Sequence, residues 1–227
     1  MKQALADALQ KRGYETLTPV QTAVTAPELT DADLLVSAQT GSGKTVGFGL
    51  AIGDSLLGQN EFFERASKPL ALVIAPTREL ALQVKRELQW LYGEARATMA
   101  SCVGGMDMRD ERRTLERGAH IVVATPGRLR DHIMRKSIDL SELRAVVLDE
   151  ADEMLRMVFI DDVGLILSHA PAERQTALFS ATMPDAIKKI TKRYLKNPEH
   201  IKIESTVSSA SMIKQRYCQV AGHHKLE

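Results

Sequence analysis

Residues 36–45 read VSAQTGSGKT, and this stretch decides the fold. It joins a short apolar strand, Leu34 to Val36, to an apolar helical segment through a turn bracketed by Gly41 and Gly43. Glycine at such positions lets the backbone turn tightly and point successive N–H groups at phosphate oxygens, where a Cβ would intrude. The stretch therefore predicts a phosphate cradle at the end of a buried strand, with an ordinary Gly/Ser turn as the alternative.

The residues that close the turn carry the chemistry of a triphosphate site. Lys44 is placed to reach the β and γ phosphates, and Thr45 offers its hydroxyl to the Mg²⁺ ion that accompanies a triphosphate. Ala38 stands where a strict P-loop pattern requires glycine, so the strand before the turn and the helix after it give the motif its weight. The other positions of the cradle are Gln39, Thr40, Gly41, Ser42 and Gly43.

Composition limits the class of protein. Of the 227 residues, 44% are hydrophobic and 26% charged, which is typical of a globular domain and not of a disordered chain. Thirty basic and 29 acidic residues leave a net charge of +1, so any nucleic-acid site must be local. Cys102 and Cys218 lie far apart with no secretory context, which favours a reducing compartment over a disulfide framework or a zinc site. No apolar run approaches about eighteen residues, so we expect a cytoplasmic protein with no membrane partner.

Apolar runs and helical patterns alternate along the chain. Seven runs are predicted as strands buried on both faces: Leu34–Val36, Ala71–Ala75, Met99–Val103, Ile121–Ala124, Ala145–Leu148, Ala177–Phe179 and His200–Ile203. Between them, the spacing of Leu80, Val84, Leu88 and Leu91 places one apolar stripe on a helix. The alternation predicts an α/β fold, with a mostly parallel sheet covered by helices on both faces and ligands at the carboxyl ends of the strands.

A cluster of carboxylates follows the fifth predicted strand. Residues 149–152 read DEAD, which puts three carboxylates into four positions at a strand's carboxyl end. Such crowding favours a cation. Asp149 is placed to hold the Mg²⁺ shell through water, and Glu150 to orient and deprotonate the water that attacks the γ phosphate. The alternative is an acidic helix start, which suits the helix dipole.

The letters DEAD, joined to AQTGSGKT at 38–45, resemble the DEAD-box RNA helicase family. Further segments match that family in order: Gly13–Gln21 (its Q motif, with glutamine at the end), Pro76–Ala81, Gly104–Gly105, Thr125–Arg128 and Ser180–Thr182. The resemblance implies the family's amino-terminal domain, a RecA-like P-loop NTPase that binds ATP and Mg²⁺ and contacts RNA.

The resemblance also implies a role for individual residues. The catalytic residues would be Lys44, Asp149 and Glu150, with Thr45 and Asp149 holding Mg²⁺ largely through water. Nucleotide binding would add Tyr14, Thr18 and Gln21 to the cradle from Ala38 to Thr45. The RNA-contacting residues would be Pro76, Thr77, Arg78, Gly104, Gly105, Thr125, Pro126, Gly127 and Arg128. The residues that couple the two sites would be Asp152, Ser180 and Thr182.

Several of these residues have a second interpretation. Gln21 fits the third position of a capping box, with Thr18 as N-cap and Pro19 at the first helical position. The same amide can read adenine, because adenine presents a donor beside an acceptor, and the two roles can coexist. We therefore expect ATP to be preferred to GTP. The family usually has an adenine-stacking aromatic residue that would align before Met1, so we expect weaker stacking here.

The RNA motifs and the coupling motif have local explanations as well. Thr77 and Thr125 precede helical patterns and are expected to cap them, which exposes helix N-terminal N–H groups that favour phosphates. A track of this kind touches the sugar-phosphate backbone and no base edge, so we expect little sequence preference. Ser180 and Thr182 are expected to bond Asp152 with their hydroxyls, or else to cap a helix before Pro184.

Val158 departs from the expected pattern, and Trp90 and the histidines are assigned no functional role. Val158 stands where the family commonly has glycine, and it would be strained if the backbone there needs a positive φ. Trp90 is expected to pack and not to stack on bases. No metal spacing connects the histidines, which are His120, His132, His169, His200, His223 and His224.

The predicted domain organisation has two parts. Residues 1–204 form the RecA-like ATP-binding domain, with the Q motif at about 13–21. Residues 205–227 are predicted as a linker and the first strand of a second RecA-like domain. In the family that second domain brings arginine fingers, so the 227 residues should bind nucleotide but hydrolyse it slowly and not unwind a duplex.

The sequence thus predicts the first core domain of an ATP-dependent RNA helicase. An alternative is an ATP-gated RNA clamp or scaffold, whose role is binding and not strand separation. Another P-loop machine, such as a DNA translocase, is the second alternative, and contacts to 2′-OH groups would distinguish the two substrates.

Overall fold

The computed structural model describes residues 1–204, so the predicted linker and strand over 205–227 lie outside the described residues. Seven strands form one sheet in the order β3-β4-β2-β5-β6-β1-β7, and every pair of neighbours is parallel. The strands are β1 (Leu34–Ser37), β2 (Ala71–Ile74), β3 (Met99–Cys102), β4 (Ile121–Ala124), β5 (Ala145–Leu148), β6 (Gln175–Ser180) and β7 (Glu199–Lys202). All seven coincide with predicted runs, to within one or two residues at most ends.

The prediction that every strand is buried on both faces is wrong for the two edges of the sheet. Strands β2, β4, β5 and β6 are buried at every position, whereas β3 alternates and β7 is largely exposed. An edge strand has a neighbour on one side only, and helices that cover a twisted sheet leave its margins open.

Ten α-helices connect the strands within the described residues. They are α1 (Gln3–Lys11), α2 (Pro19–Val24), α3 (Lys44–Ala51), α4 (Gly53–Leu57), α5 (Arg78–Leu91), α6 (Met108–Arg117), α7 (Pro126–Met134), α8 (Ala151–Arg156), α9 (Ile160–Ser168) and α10 (Asp185–Tyr194). One core lies on each face of the sheet. The first contains Leu5, Phe48 and Leu88, and the second contains Leu129 and Ile187.

Local sequence explains where several helices begin. Helix α2 starts with the capping box that Thr18 and Gln21 predict, and α5 starts where the Thr77 hydroxyl accepts the Leu80 N–H at 3.2 Å. Thr125 occupies the N-cap position of α7, but its side chain makes no capping hydrogen bond, so the predicted side-chain cap is wrong there. Pro126 at the first helical position removes one of the N–H groups that a cap would satisfy.

Val158 has the positive φ that would strain a valine. Its φ is +61°, a left-handed conformation that disfavours a β-branched residue, and its side chain is 81% exposed. Valine at this position is therefore strained. Over residues 1–204, no helix is both long and apolar enough to cross a membrane.

Candidate functional site

The loop between β1 and α3 has the backbone of a phosphate cradle. Gly41 and Gly43 have φ values of +83° and +81°, and Gly43 caps the amino end of α3. A Cβ at Gly43 would lie 2.6 Å from Nε2 of Gln21, so a side chain there would collide with the neighbouring segment. The glycines are thus required by conformation at Gly41 and by both conformation and space at Gly43.

Lys44 connects this loop to the carboxylate cluster. Its Nζ lies 2.5 Å from Oδ1 of Asp149 and 3.3 Å from Oε2 of Glu150. The contact spans β6, because β5, which ends just before Asp149, and β1 flank that strand on opposite sides. Lys44 and Asp149 are 105 positions apart in the chain, but they meet because parallel strands place their carboxyl ends on the same side of the sheet.

Asp149 has the environment of a cation ligand. The residue is completely buried, and burial raises the pKa of its carboxyl, while the Lys44 ammonium opposes that rise by stabilising the ionised form. Its Oδ2 is buried without a hydrogen-bond partner among the described residues. A buried carboxylate oxygen of this kind fits Mg²⁺, a hard cation that prefers oxygen ligands, and Thr45 lies beside Lys44 in the first turn of α3.

Glu150 sits on strained backbone. Its φ of +52° is unusual for a residue other than glycine, and it occupies the N-cap position of α8. Strain of this kind is often found at functional sites, where the surrounding structure holds it. The Glu150 side chain lines an open cleft of about 200 Å³ together with Ala38, Thr40, Lys44, Asp152 and Thr182.

Gln21 is completely buried, and its amide is already engaged at both ends. Its Oε1 accepts the Thr18 N–H at 3.0 Å, and its Nε2 donates to the carbonyl of Gly43 at 3.0 Å. The capping role predicted from sequence is confirmed, and the contact to Gly43 ties the Q motif to the cradle. One proton and one lone pair of the amide remain for adenine, so the reading of the base stays a prediction.

A second cleft separates the Q motif from the cradle. It has a volume of about 280 Å³ and is lined by Thr18, Pro19 and Val20 on one side and by residues 39–42 on the other. Tyr14 packs elsewhere, with its ring 5.8 Å from that of Trp90 on α5. The predicted packing role of Trp90 agrees with this contact, while nucleotide binding by Tyr14 stays a prediction.

The three predicted RNA segments lie side by side. They follow β3, β4 and β2, which are neighbouring strands in the sheet. The carboxyl ends of these strands therefore bring together Gly104–Gly105, Thr125–Arg128 and Pro76–Arg78. Gly104 and Gly105 have φ values of +76° and +68°. The segments that sequence separates by up to about fifty residues therefore form one surface.

Within this surface the two arginines contact the glycine loop. Nη1 of Arg128 donates to the Met106 carbonyl at 3.1 Å, and Nη2 of Arg78 points at the Met106 sulfur at 3.5 Å. Thr77 and Arg78 are exposed. Pro76 and Pro126 are buried, and their predicted contact with RNA stays a prediction.

The coupling residues are connected, but not entirely as predicted. Oδ2 of Asp152 accepts both the hydroxyl of Thr182 at 2.9 Å and its N–H at 3.1 Å. The Ser180 hydroxyl instead donates to the Thr182 carbonyl at 2.7 Å, so the predicted bond from Ser180 to Asp152 is wrong. Ser180 is the buried last residue of β6, and the Thr182 carbonyl that accepts its hydrogen bond lies in the turn that follows this strand.

Sequence reasoning missed Glu111 and Met106. Glu111 is the one buried residue of α6, a helix that otherwise carries exposed charges, and Met106 is exposed between the two arginines. A signal for Glu111 was available, because it shares a helical face with Met108 and Leu115 at spacings of three and four.

Comparison with known proteins shows which family the chain resembles. The model of the DEAD/DEAH box helicase family matches residues 18–190. The chain is similar to the DEAD-box ATP-dependent RNA helicase CshA of Bacillus licheniformis, with 43% identity over 98% of this chain and 45% of that protein. It is 41% identical to CshA of Geobacillus kaustophilus, over 100% of this chain and 47% of that protein. The chain thus spans about half the length of the curated relatives it matches.

Solved structures share the fold. A DEAD box protein from Methanococcus jannaschii superposes with a TM-score of 0.80 and 36% identity, over 89% of this chain and 54% of that one. The yeast DEAD-box splicing factor Prp28 gives a TM-score of 0.83 and 32% identity, over 91% of this chain and 50% of that one. The parallel sheet with helices on both faces is therefore a RecA-like helicase domain.

Proposed function

Because the chain belongs to the DEAD/DEAH box helicase family, we propose that residues 1–204 are the ATP-binding domain of an ATP-dependent RNA helicase. One observation carries this proposal. Lys44 of the cradle meets the buried Asp149 and the strained Glu150 across a single strand, at the edge of the sheet where ligands bind.

The nucleotide spans both clefts. Its phosphates lie on the N–H groups of residues 41–45, at the positive end of the α3 dipole, with Lys44 on the β and γ phosphates. Its adenine lies in the cleft between Thr18 and the cradle, near the Gln21 amide. This arrangement would account for a preference for ATP over GTP, since the N7 edge of adenine presents an acceptor beside a donor, whereas the N7 edge of guanine presents two acceptors.

Thr45 and Asp149 would hold Mg²⁺, largely through water. The ion supplies charge neutralisation for the phosphates when it is bound. In this proposal Lys44 transfers from Asp149 to the phosphates, and the carboxylate is then free to face the ion's water shell. Glu150 projects into the cleft as the group that orients the attacking water and accepts its proton.

The RNA strand lies across the three segments that follow β3, β4 and β2. Thr77, Arg78 and Arg128 would contact phosphates, and Gly104 and Gly105 allow the backbone to come close. Contacts to phosphates carry no sequence information, so binding should show little sequence preference and a strong dependence on salt. Asp152 and Thr182 would transmit the state of the nucleotide site to this surface.

The whole protein extends this activity. We place the second RecA-like domain after residue 204, where it would complete the ATP site and hold the rest of the RNA, and we propose that the protein acts in the cytoplasm. Closure of the two domains around ATP and RNA would bend the strand and open short duplexes locally.

Steady-state ATP hydrolysis by the full-length protein tests the proposal. We expect RNA to stimulate hydrolysis, DNA of equal sequence to do so far less, and a short RNA duplex to be released in the presence of ATP. The Glu150→Gln variant should bind ATP but not hydrolyse it. Stimulation without duplex release would identify an RNA clamp, equal stimulation by DNA would identify a translocase, and hydrolysis unaffected by either polymer would refute an action on nucleic acid.

A further inference from the structure

A buried carboxylate connects the parts of the RNA surface. Glu111 on α6 is only 5% exposed, and it accepts hydrogen bonds from three donors, one in the stretch after β3 and two on α7. Its Oε1 accepts from Nη1 of Arg128 and from Nε2 of His132, both at 2.8 Å, and its Oε2 accepts the Val103 N–H at 3.0 Å. The donors lie in the two segments that follow the neighbouring strands β3 and β4.

One of these donors, Arg128, belongs to the predicted RNA track, and another, Val103, lies next to it. Val103 immediately precedes Gly104 and Gly105, and Arg128 ends the TPGR segment. Nη1 of Arg128 donates to the Met106 carbonyl as well, at 3.1 Å. One carboxylate therefore holds both Val103, at the start of the Gly104–Met106 loop, and the Arg128 guanidinium, which binds the carbonyl at the end of that loop.

The setting of this carboxylate differs from that of the other acids on α6. Burial raises the pKa of Glu111, but the hydrogen bonds from His132, Val103 and Arg128 outweigh that effect and hold the pKa below its ordinary value. Asp110 and Glu116 pair with arginines of the same helix at the surface, where such pairs contribute little. A buried charge persists only when it is paired and hydrogen-bonded, so the three donors are the condition for Glu111 to stay in place.

A metal site is the competing interpretation of this cluster. Cys102, Glu111 and His132 are buried, and one potential ligand atom of each lies within 4.8 Å of the others. Both oxygens of Glu111 are already occupied by donors, and the positive Arg128 guanidinium lies 2.8 Å from one of them. Burial also raises the pKa of the Cys102 thiol, which opposes formation of the thiolate that a metal requires.

We propose that Glu111 is a positioning residue for RNA binding, which holds Arg128 and the Gly104–Met106 loop in the arrangement that receives the phosphate backbone. This inference rests on the proposed RNA function of the same surface. It makes a prediction of opposite sign to simple electrostatics, because removal of a negative charge near a polyanion would by itself strengthen binding. Loss of a positioning group weakens binding instead.

The test measures RNA affinity by fluorescence anisotropy, with the full-length protein, a labelled single-stranded oligouridine and a non-hydrolysable ATP analogue, over a series of salt concentrations. We expect Glu111→Gln to bind RNA about tenfold more weakly and to lower the salt slope by about one phosphate contact. The matched control is Glu116→Gln, which makes the same change of charge at an exposed position of the same helix and should leave affinity equal or slightly higher.

Two further variants separate the possible failures. Arg128→Ala should weaken RNA binding, and Glu111→Gln should then add little in that background, because the two residues act as a unit. If Arg128→Ala leaves RNA binding unchanged, the proposed RNA role of this surface fails. If Arg128→Ala weakens binding while Glu111→Gln behaves like Glu116→Gln, the positioning role alone is overturned.

Affinity for the ATP analogue reports whether each variant is folded, since the nucleotide site lies on other strands. Should Glu111→Gln fail that check, Glu111→Asp answers the question. It keeps the charge but withdraws the carboxylate by one methylene, so electrostatics predicts no change whereas the positioning role predicts weaker RNA binding. A folded Glu111→Asp variant with wild-type RNA affinity would overturn the proposal.

Discussion

The Nζ of Lys44 lies 2.5 Å from Oδ1 of Asp149, a carboxylate that is completely buried. Each charge compensates for the burial of the other. Removing one partner of a buried ion pair lowers the free energy of unfolding by about 3–5 kcal/mol. In the proposed site an incoming triphosphate would replace this contact, so Lys44 would connect nucleotide binding with the stability of the domain.

We predict that Lys44→Ala loses both nucleotide affinity and stability. Affinity for an ATP analogue should fall by about 100-fold or more, and the free energy of unfolding by about 3 kcal/mol, because Asp149 is left buried without its partner. Titration calorimetry and urea denaturation measure the two effects. The exposed Lys188→Ala on α10 provides the control for a lost positive charge.

A double variant separates these two losses. Lys44→Ala combined with Asp149→Asn should regain most of the stability, since the amide carries no charge, but it should regain none of the affinity. Recovery of nucleotide binding in the double variant would contradict the assignment of Lys44 to the phosphates.

The two glycines of the cradle provide a matched pair. Gly41 and Gly43 have φ values of +83° and +81°, but a Cβ would meet nothing within 4 Å at Gly41, whereas at Gly43 it would lie 2.6 Å from Gln21. Gly41→Ala should lose about 1 kcal/mol of stability from the backbone alone. Gly43→Ala should lose more and should also weaken ATP binding, because Gln21 must move. Equal losses, measured by thermal unfolding and calorimetry, would show that the close approach is unimportant.

Thr182 is predicted to affect communication between sites and not binding at either one. Thr182→Val removes the hydroxyl that bonds Asp152 at 2.9 Å while keeping the shape of the side chain. In the full-length protein, RNA stimulation of ATP hydrolysis should fall by roughly 5-fold or more, the lower range of typical coupling energies, with ATP affinity nearly unchanged. Thr30→Val, which removes an exposed hydroxyl in a distant loop, is the control. A parallel loss of ATP affinity would argue against a coupling role.

Val158 offers a stabilising substitution. Val158→Gly should raise the free energy of unfolding by about 1 kcal/mol, since glycine adopts φ +61° without the steric cost that a β-branched residue meets there. Lys136 has a similar φ of +59° but an unbranched side chain, so Lys136→Gly should gain less. Urea denaturation ranks the two, and a larger gain at Lys136 would refute the explanation by β-branching.

His120 should make stability depend on pH. Burial lowers the pKa of His120, and its ring bonds the Thr98 N–H at 2.8 Å and the Glu64 carbonyl at 2.7 Å. A lowered pKa means that the unfolded chain takes up the proton first. The stabilising effect is therefore complete above about pH 6.5 and is lost as the pH falls below that value.

The measurement compares the wild-type protein with His120→Asn, which keeps an acceptor for Thr98 but does not titrate. Stability of the wild-type protein should fall more steeply than that of the variant between about pH 7 and about pH 5. Parallel pH profiles would rule out His120 as the source.

Much of the fold and of the proposed nucleotide site follows from local sequence. The apolar runs predicted all seven strands, and the Gly41–Thr45 turn and the DEAD letters predicted which strand ends would meet, because parallel strands place their carboxyl ends at one edge. The capping box of Thr18 and Gln21 was equally local, since it needs only residues three positions apart.

Tertiary packing decided the partners of the buried polar side chains, which local sequence patterns do not determine. The sequence predicted that the Ser180 hydroxyl bonds Asp152, but in the structure this hydroxyl donates to the Thr182 carbonyl. Sequence patterns assigned no role to Glu111, although packing buries it against Arg128 and His132. Periodicity determines which residues can form an element, because it depends on neighbours along the chain. The partner of a buried polar group depends on which elements are adjacent in space, and that is fixed only when the sheet and its helices assemble.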